Sequence, residues 1–217
     1  MPLFPLGTVL FPGLLLPLHI FEERYRRLVH ELIELPEGTP RRFGVVAIRE
    51  GRETGADSVR ALHKVGCTAE LRRVQPYDDG RFDIVTSGVT RFVLREVDAS
   101  LPYLTGDVEL LRETAGEPDD LTTVVADLFG EYLEVLGTTR GVEIESPELP
   151  DDALLLSYLI AATMLLDLAD KQELLEAEDA AHRLRIEARL LRRELGLLRA
   201  VGAVPPPEQL REGTSLN

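Results

Sequence analysis

Lysine is nearly absent from the chain: Lys64 and Lys171 are the only two among 217 residues, and neither follows a glycine. A phosphate-binding loop needs glycines that bring backbone donors around the phosphates and a lysine that reaches them, so ATP or GTP hydrolysis of the P-loop kind is excluded. Cysteine occurs once, as Cys67, which rules out an internal disulfide and points to a reducing, cytoplasmic setting. The four histidines, His19, His30, His63 and His182, stand singly, with no HExxH and no CxxC, so no metal site is assigned. Long apolar runs are missing too. The stretch Ala153 to Leu166, apolar nearly all round, has only 14 residues between Asp152 and Asp167, too short for a membrane span of ~20 residues and suited to the central helix of a bundle.

The amino-terminal segment, MPLFPLGTVLFPGLLLPLHIFEERY, is apolar but resembles neither an export signal nor an anchor. Its first basic residue, Arg24, comes after the apolar stretch, and Pro2, Pro5, Pro12 and Pro17 forbid a continuous helix. Extended structure is expected instead: short strands near Leu3 to Leu6 and Leu14 to Leu18, with a turn at Phe11-Pro12-Gly13. A helix then follows, with Ile20, Phe21, Leu28 and Leu32 apolar, Tyr25, Val29 and Ile33 beside them, and Glu22, Glu23, Arg24, Arg26 and Arg27 facing water.

From Phe43 to about Leu111 the period is that of strands. Phe43 to Ile48 reads as a buried strand, and Val65, Cys67, Ala69 and Leu71 alternate inward against Lys64, Thr68, Glu70 and Arg72 outward. Asp79-Gly80 marks a hairpin tip. A long strand or strand pair runs from Arg81 to Val97 with a bulge or bend at Ser87-Gly88, and Tyr103 to Leu111 gives another. After Gly116-Glu117-Pro118 the period becomes helical. Leu121, Val124, Val125, Leu128, Tyr132, Leu133 and Leu136 share a face, with Asp119 or Asp120 as cap and Gly137 as terminator. Leu184, Ala188, Leu191, Leu195 and Leu198 form a stripe on a last helix, serving either bundle packing or a dimer seam. The expected organisation is α+β: a β-rich unit with one helix over 1–115, a helical bundle over 116–200, and a flexible tail over 201–217.

The net charge of −14 is concentrated in one region. Ala115 to Ala180 holds 17 acidic and 2 basic residues, whereas Met1 to Thr114 holds 17 and 15. An acidic middle disfavours nucleic acid as a general partner and reads as a solvated helical surface or as a dock for basic partners. The acid pairs Glu22-Glu23, Asp78-Asp79 and Asp151-Asp152 have duller readings as wet helix face, turn and helix start. They select no general acid and base. Cys67, facing inward, reads as a small hydrophobe, and Asp179 and Arg183 at i, i+4 as a helix ion pair.

Three ordered stretches carry a resemblance: LFPLGTVLFPGLLLPLHIFEERYRRLV, then HKVGCTAELRRVQPYDDGRFDIVTSGVTRFVL, then DKQELLEAEDAAHRLRIEARLLRREL. Phe11-Pro12-Gly13, Pro17-Leu18, Phe21-Glu22 and Tyr25 mark the first. Gly66, Asp79-Gly80, Gly88 and Arg91-Phe92 mark the second, and Leu174-Leu175, Asp179, Arg183 and Leu184 the third. Over about Pro2 to Leu198 the chain resembles the amino-terminal substrate-binding domain of Lon proteases, in particular stand-alone bacterial proteins made of that domain without the ATPase and protease modules. The resemblance implies a PUA-like β pseudo-barrel followed by a helical bundle. It implies non-catalytic recognition of protein or peptide partners, with an adaptor role in protein quality control, and no cofactor. It also suggests that Glu22 pairs with Arg91. RNA binding is the alternative, and it requires Arg41, Arg42, Arg72, Arg73, Arg91 and Arg95 to gather on one face. A hydrolase would require a pocket of convergent polar groups.

Overall fold

The protein was analysed as a computed structural model that describes residues 1–51, 59–118, 120–145 and 147–202. Seven strands and five helices follow in the order β1 (Leu3–Leu6), β2 (Leu15–Ile20), α1 (Glu23–Ile33), β3 (Arg42–Gly51), β4 (Val59–Leu62), β5 (Val65–Pro76), β6 (Phe82–Asp98), β7 (Thr105–Leu110), α2 (Leu121–Arg140), α3 (Ala153–Thr163), α4 (Leu168–Glu176) and α5 (Ala180–Gly202). The chain divides into two compact units, 1–114 with 161–178 and 115–160 with 179 onward. The helical segment 161–178, which its period groups with the bundle, belongs with the strands. There α4 lies against β5, and Gln172 Nε2 donates to the Val65 carbonyl at 3.0 Å.

In the first unit the strands form one sheet in the order β1-β3-β5-β6-β2, with β4 added to β3 and β7 to β6. Each of the two end strands carries a proline inside it, Pro5 in β1 and Pro17 in β2, whereas Pro76 in the central β5 is that strand's last residue. A proline has no backbone N–H to give to the ladder, which suits it to the edge of a sheet or to a strand end. Residues of both end strands nevertheless line the same small cavity, so the sheet curls round on itself into the expected pseudo-barrel. Its core is built from Phe4, Ile20, Phe43, Val45 and Ile84, closed by Tyr25, Leu28, Val29 and Leu32 of α1. The helix begins only at Glu23. Ile20 ends β2, and Phe21 is half exposed rather than part of the helix stripe.

The long strand β6 serves three neighbours: β2 along Phe82–Ser87, β5 along Phe82–Val93, and β7 along Phe92–Asp98. The anticipated irregularity near Ser87-Gly88 falls just after it, where the register against β5 shifts between Cys67↔Arg91 and Ala69↔Gly88. Gly88 exchanges backbone hydrogen bonds with Gly13 (3.0 Å) and Leu14 (2.8 Å). A Cβ at Gly88 would fall inside van der Waals contact with the Phe11 carbonyl oxygen, so the turn at Phe11-Pro12-Gly13 can seat there only over a glycine. The hairpin tip is as expected: Gly80 has φ +80°, and the Tyr77 amide bonds the Arg81 carbonyl at 2.9 Å.

In the second unit α2 buries Val125, Phe129, Tyr132, Leu133 and Leu136. The stripe Leu184, Ala188, Leu191 and Leu195 of α5 is buried, and α5 packs against α2. Each such side chain, fully removed from water, contributes about 1.5–3 kcal/mol before entropy is counted. Gly137 does not end α2. The helix continues to Arg140 and stops at Gly141, whose φ of +67° is the left-handed C-terminal cap. Gly137 instead leaves room for the returning chain, since a Cβ there would meet the Val142 carbonyl at 2.8 Å. Asp120 occupies the N-cap of α2 without a side-chain bond, and Asp119 lies outside the described residues. The apolar run Ala153 to Leu166 is not one helix: α3 stops at Thr163, and Asp167 caps α4 by accepting the Asp170 amide at 2.9 Å. From residue 203 onward the expected tail lies outside the described residues. Among the described residues no helix is long and apolar enough to cross a membrane.

Candidate polypeptide-binding groove

A bulge in β5 builds a depression in the first unit. The alternation that turns Cys67, Ala69 and Leu71 inward would next select Arg73. The register against β6 instead shifts between Leu71↔Thr86 and Arg73↔Val85, so Val74 joins Leu71 in packing on the core, while Arg72 and Arg73 are exposed. Together with Ile33 at the end of α1, these residues border a groove of about 470 Å³, within the size range of ligand-binding clefts. Phe82 forms part of its lining, 4% exposed, with the His30 ring edge-on at 5.0 Å between centroids.

Arginine rims this groove, and among the described residues no acidic side chain lines it. Arg41 donates from Nη2 to the Ile33 carbonyl at 3.2 Å, while its buried Nε has no hydrogen-bond partner among the described residues. Arg72 bonds Ser87 Oγ at 2.7 Å and Glu70 at 2.6 Å, and Glu70 also receives Arg42 at 2.6 Å. The Arg73 side chain has no ion pair or hydrogen bond among the described residues. Of the six arginines whose clustering the RNA reading requires, four therefore gather here. Arg91 is buried, and Arg95 pairs with Glu109 of β7 at 2.5 Å.

The second depression, about 130 Å³, lies where the two end strands meet. Phe4 and Tyr25 stack there at 4.0 Å, and the exposed Phe21 stands at its edge. Beside it, Asp83 accepts from the Tyr77 hydroxyl at 2.5 Å and contacts His19 Nδ1 at 2.6 Å. The Tyr77 hydroxyl first, then His19, holds the Asp83 carboxyl below the ordinary carboxylate range. This network braces the β5-β6 hairpin against β2. A cavity of this size accepts one side chain at most.

Two expected ion pairs are replaced by others. Glu22 pairs with Arg24 at 3.0 Å, not with Arg91, which bonds Glu113 at 2.8 Å and the carbonyls of Leu175 and Ala177 at 2.7 and 2.5 Å. Asp179 caps α5 by accepting the His182 amide at 2.7 Å, while Arg183 donates to Ser157 Oγ and the Tyr158 hydroxyl. Partner choice at long sequence separation depends on topology, which charge pattern alone does not encode.

Among the described residues no group of three His, Cys, Asp or Glu side chains is placed to hold a metal. Cys67 is fully buried, and burial pushes its thiol up to about 12. The folded thiol thus stays protonated where an unfolded one, near 8.5, begins to ionise. This contribution to stability is complete below pH ~8.5 and is lost as the pH rises towards about 12. At pH 8 the native protein should resist alkylation by iodoacetamide, and unfolding in denaturant should release one reactive thiol, as read by mass spectrometry.

The family model described as the ATP-dependent protease La (LON) substrate-binding domain matches residues 1–193. A Lon protease of Cytophaga hutchinsonii is 28% identical over 209 residues, covering 91% of this chain and 24% of its own length. Lon protease 2 of Sorangium cellulosum is 26% identical and covers 99% and 27%. The chain thus spans about a quarter of the length of these curated relatives. Among solved structures, the Lon N-terminal domain protein from Xanthomonas campestris superposes with a TM-score of 0.60 at 25% identity, covering 88% of this chain and 96% of that one. The N-terminal domain of Mycobacterium avium complex Lon protease shares the fold, with a TM-score of 0.58 at 17% identity over 88% and 97%. The match runs through the barrel strands, the groove and most of α5, and the chain belongs to the ATP-dependent protease La (LON) substrate-binding domain family.

Proposed function

We propose that this chain is a non-catalytic module that binds polypeptide segments in the groove beside the β5 bulge, acting in the cytoplasm as an adaptor in protein quality control. The observation that carries the reading is the groove itself: half-buried Leu71 and Val74 with exposed Ile33, in a cleft of about 470 Å³. Membership of a substrate-binding family supports it, as does a sequence without a nucleotide loop or an acid and base constellation.

The gathering of Arg41, Arg42, Arg72 and Arg73 favours a second reading, RNA. Single-stranded nucleic acid is held by basic grooves with aromatic faces on which bases stack. Of the aromatic rings lining this groove, Phe82 is 4% exposed and meets His30 edge to face, so it offers no free face, and the imidazole of His30 is the one exposed aromatic ring among the lining residues. The apolar lining favours a peptide.

The test is a fluorescence anisotropy titration with a labelled, extended peptide rich in Leu and Phe. Leu71→Asp puts an anion on the apolar wall and should weaken binding by about tenfold or more, which is ~1.4 kcal/mol. Leu110→Asp, at a 58% exposed position on β7, should leave it unchanged. Equal binding by wild type and Leu71→Asp would sink the assignment of the groove.

A further inference from the structure

We infer that the groove selects segments carrying an acidic residue within an apolar run. The inference rests on the polypeptide-binding reading above and adds the chemistry of the bound segment.

The chain carries a net charge of −14, yet here the sign is locally reversed. Arg41, Arg72, Arg73 and His30 line the cleft with no carboxylate among the lining residues. One carboxylate, Glu70, is shared by two guanidinium groups, Arg42 and Arg72, which leaves positive charge in excess. Arg73 is exposed, with no ion pair among the described residues. An exposed guanidinium of this kind is completed by a carboxylate, whose two oxygens match its planar fork. Leu71 and Val74 supply apolar contact for the neighbours of that carboxylate, so an extended segment places its acid over Arg73 and its apolar side chains against the wall. A basic segment is repelled at the same point, so the rim discriminates as well as attracts.

The experiment uses the full chain and three peptides of one apolar sequence with a central Glu, Gln or Lys. Both ends are blocked, so the only carboxylate is the side chain. The Glu peptide should bind about fivefold more tightly than the Gln peptide, as expected for a partly screened ion pair, and the Lys peptide more weakly than either. Arg73→Gln should abolish the Glu-over-Gln preference while leaving Gln-peptide affinity intact. Arg73→Lys should retain part of the preference, because charge survives without the fork. Equal binding of Glu and Gln peptides by wild type overturns the selectivity and leaves peptide binding standing. Failure of all three to bind overturns the underlying reading itself. A single-stranded RNA that binds more tightly than the Glu peptide, and loses affinity in Arg73→Gln, would replace the peptide as the ligand.

Discussion

Arg91→Met should destabilise the sheet-bearing unit by about 3–5 kcal/mol, the typical cost of removing one partner from a buried charge network. Arg91 is 1% exposed, and its guanidinium does two jobs. Nε and Nη2 meet Glu113 at 2.8 and 3.1 Å, and Nη1 donates to the Leu175 and Ala177 carbonyls at 2.7 and 2.5 Å. Those carbonyls belong to the end of α4, whose last turn has no partner of its own. The arginine on β6 therefore caps a helix more than 80 residues later in the chain and fastens it to the sheet. Methionine preserves much of the packing volume but leaves two buried carbonyls unmatched and Glu113 without its cation. Chemical denaturation should show the loss, and hydrogen exchange should show it concentrated in Leu168–Glu176. A variant with unchanged midpoint and unchanged α4 protection would show that Arg91 fastens nothing. Arg91→Lys should fall between the two, since one ammonium cannot serve both sides of the network.

Arg183→Met should cost the helical unit a comparable amount, again about 3–5 kcal/mol. Arg183 is 0% exposed, bonds Ser157 Oγ at 2.9 Å and the Tyr158 hydroxyl at 3.1 Å, and lies over the Tyr158 ring at 3.9 Å. A desolvated contact of this kind with a ring contributes about 2 kcal/mol by itself. One turn further along α5 stands Glu187, also 0% exposed. Loss of the arginine removes the cation one turn before this buried carboxylate on the same helix. The double variant Arg183→Met, Glu187→Met should be more stable than Arg183→Met alone, because two apolar side chains of similar volume then replace two buried charged ones on one helix at little cost. Additive losses in the double-mutant cycle would show that the two charges do not interact.

Much of the fold is legible in local pattern. Alternation at Val65 to Leu71, the Asp-Gly tip and the helical spacing of α2 and α5 each follow from a backbone period, which sequence records directly. Features set by a residue's distant neighbour are not. Gly137 has the look of a terminator, yet it stays helical because Val142 returns against it, and the stop passes to Gly141. The run Ala153 to Leu166 carries no helical break within itself. Asp167 and Asp170, spaced as a cap and its third helical residue, were the available sign that a new helix starts there. The groove was hidden for a similar reason. Strict alternation would turn Arg73 inward, and only the three-residue step from Leu71 to Val74 hints at the bulge that exposes adjacent arginines beside an apolar wall. Ile33, apolar at the end of α1 and 38% exposed, was the other sign.

The measurement that tests the central claim most directly is chemical-shift mapping of the isotope-labelled protein during titration with the Glu-containing peptide. The account predicts that amides of Leu71 to Val74, Ile33 and Phe82 move together along one saturable course, and that those of α2 and α5 stay in place. Shifts confined to the helical unit, or no shifts at peptide concentrations that saturate the anisotropy signal, would contradict it.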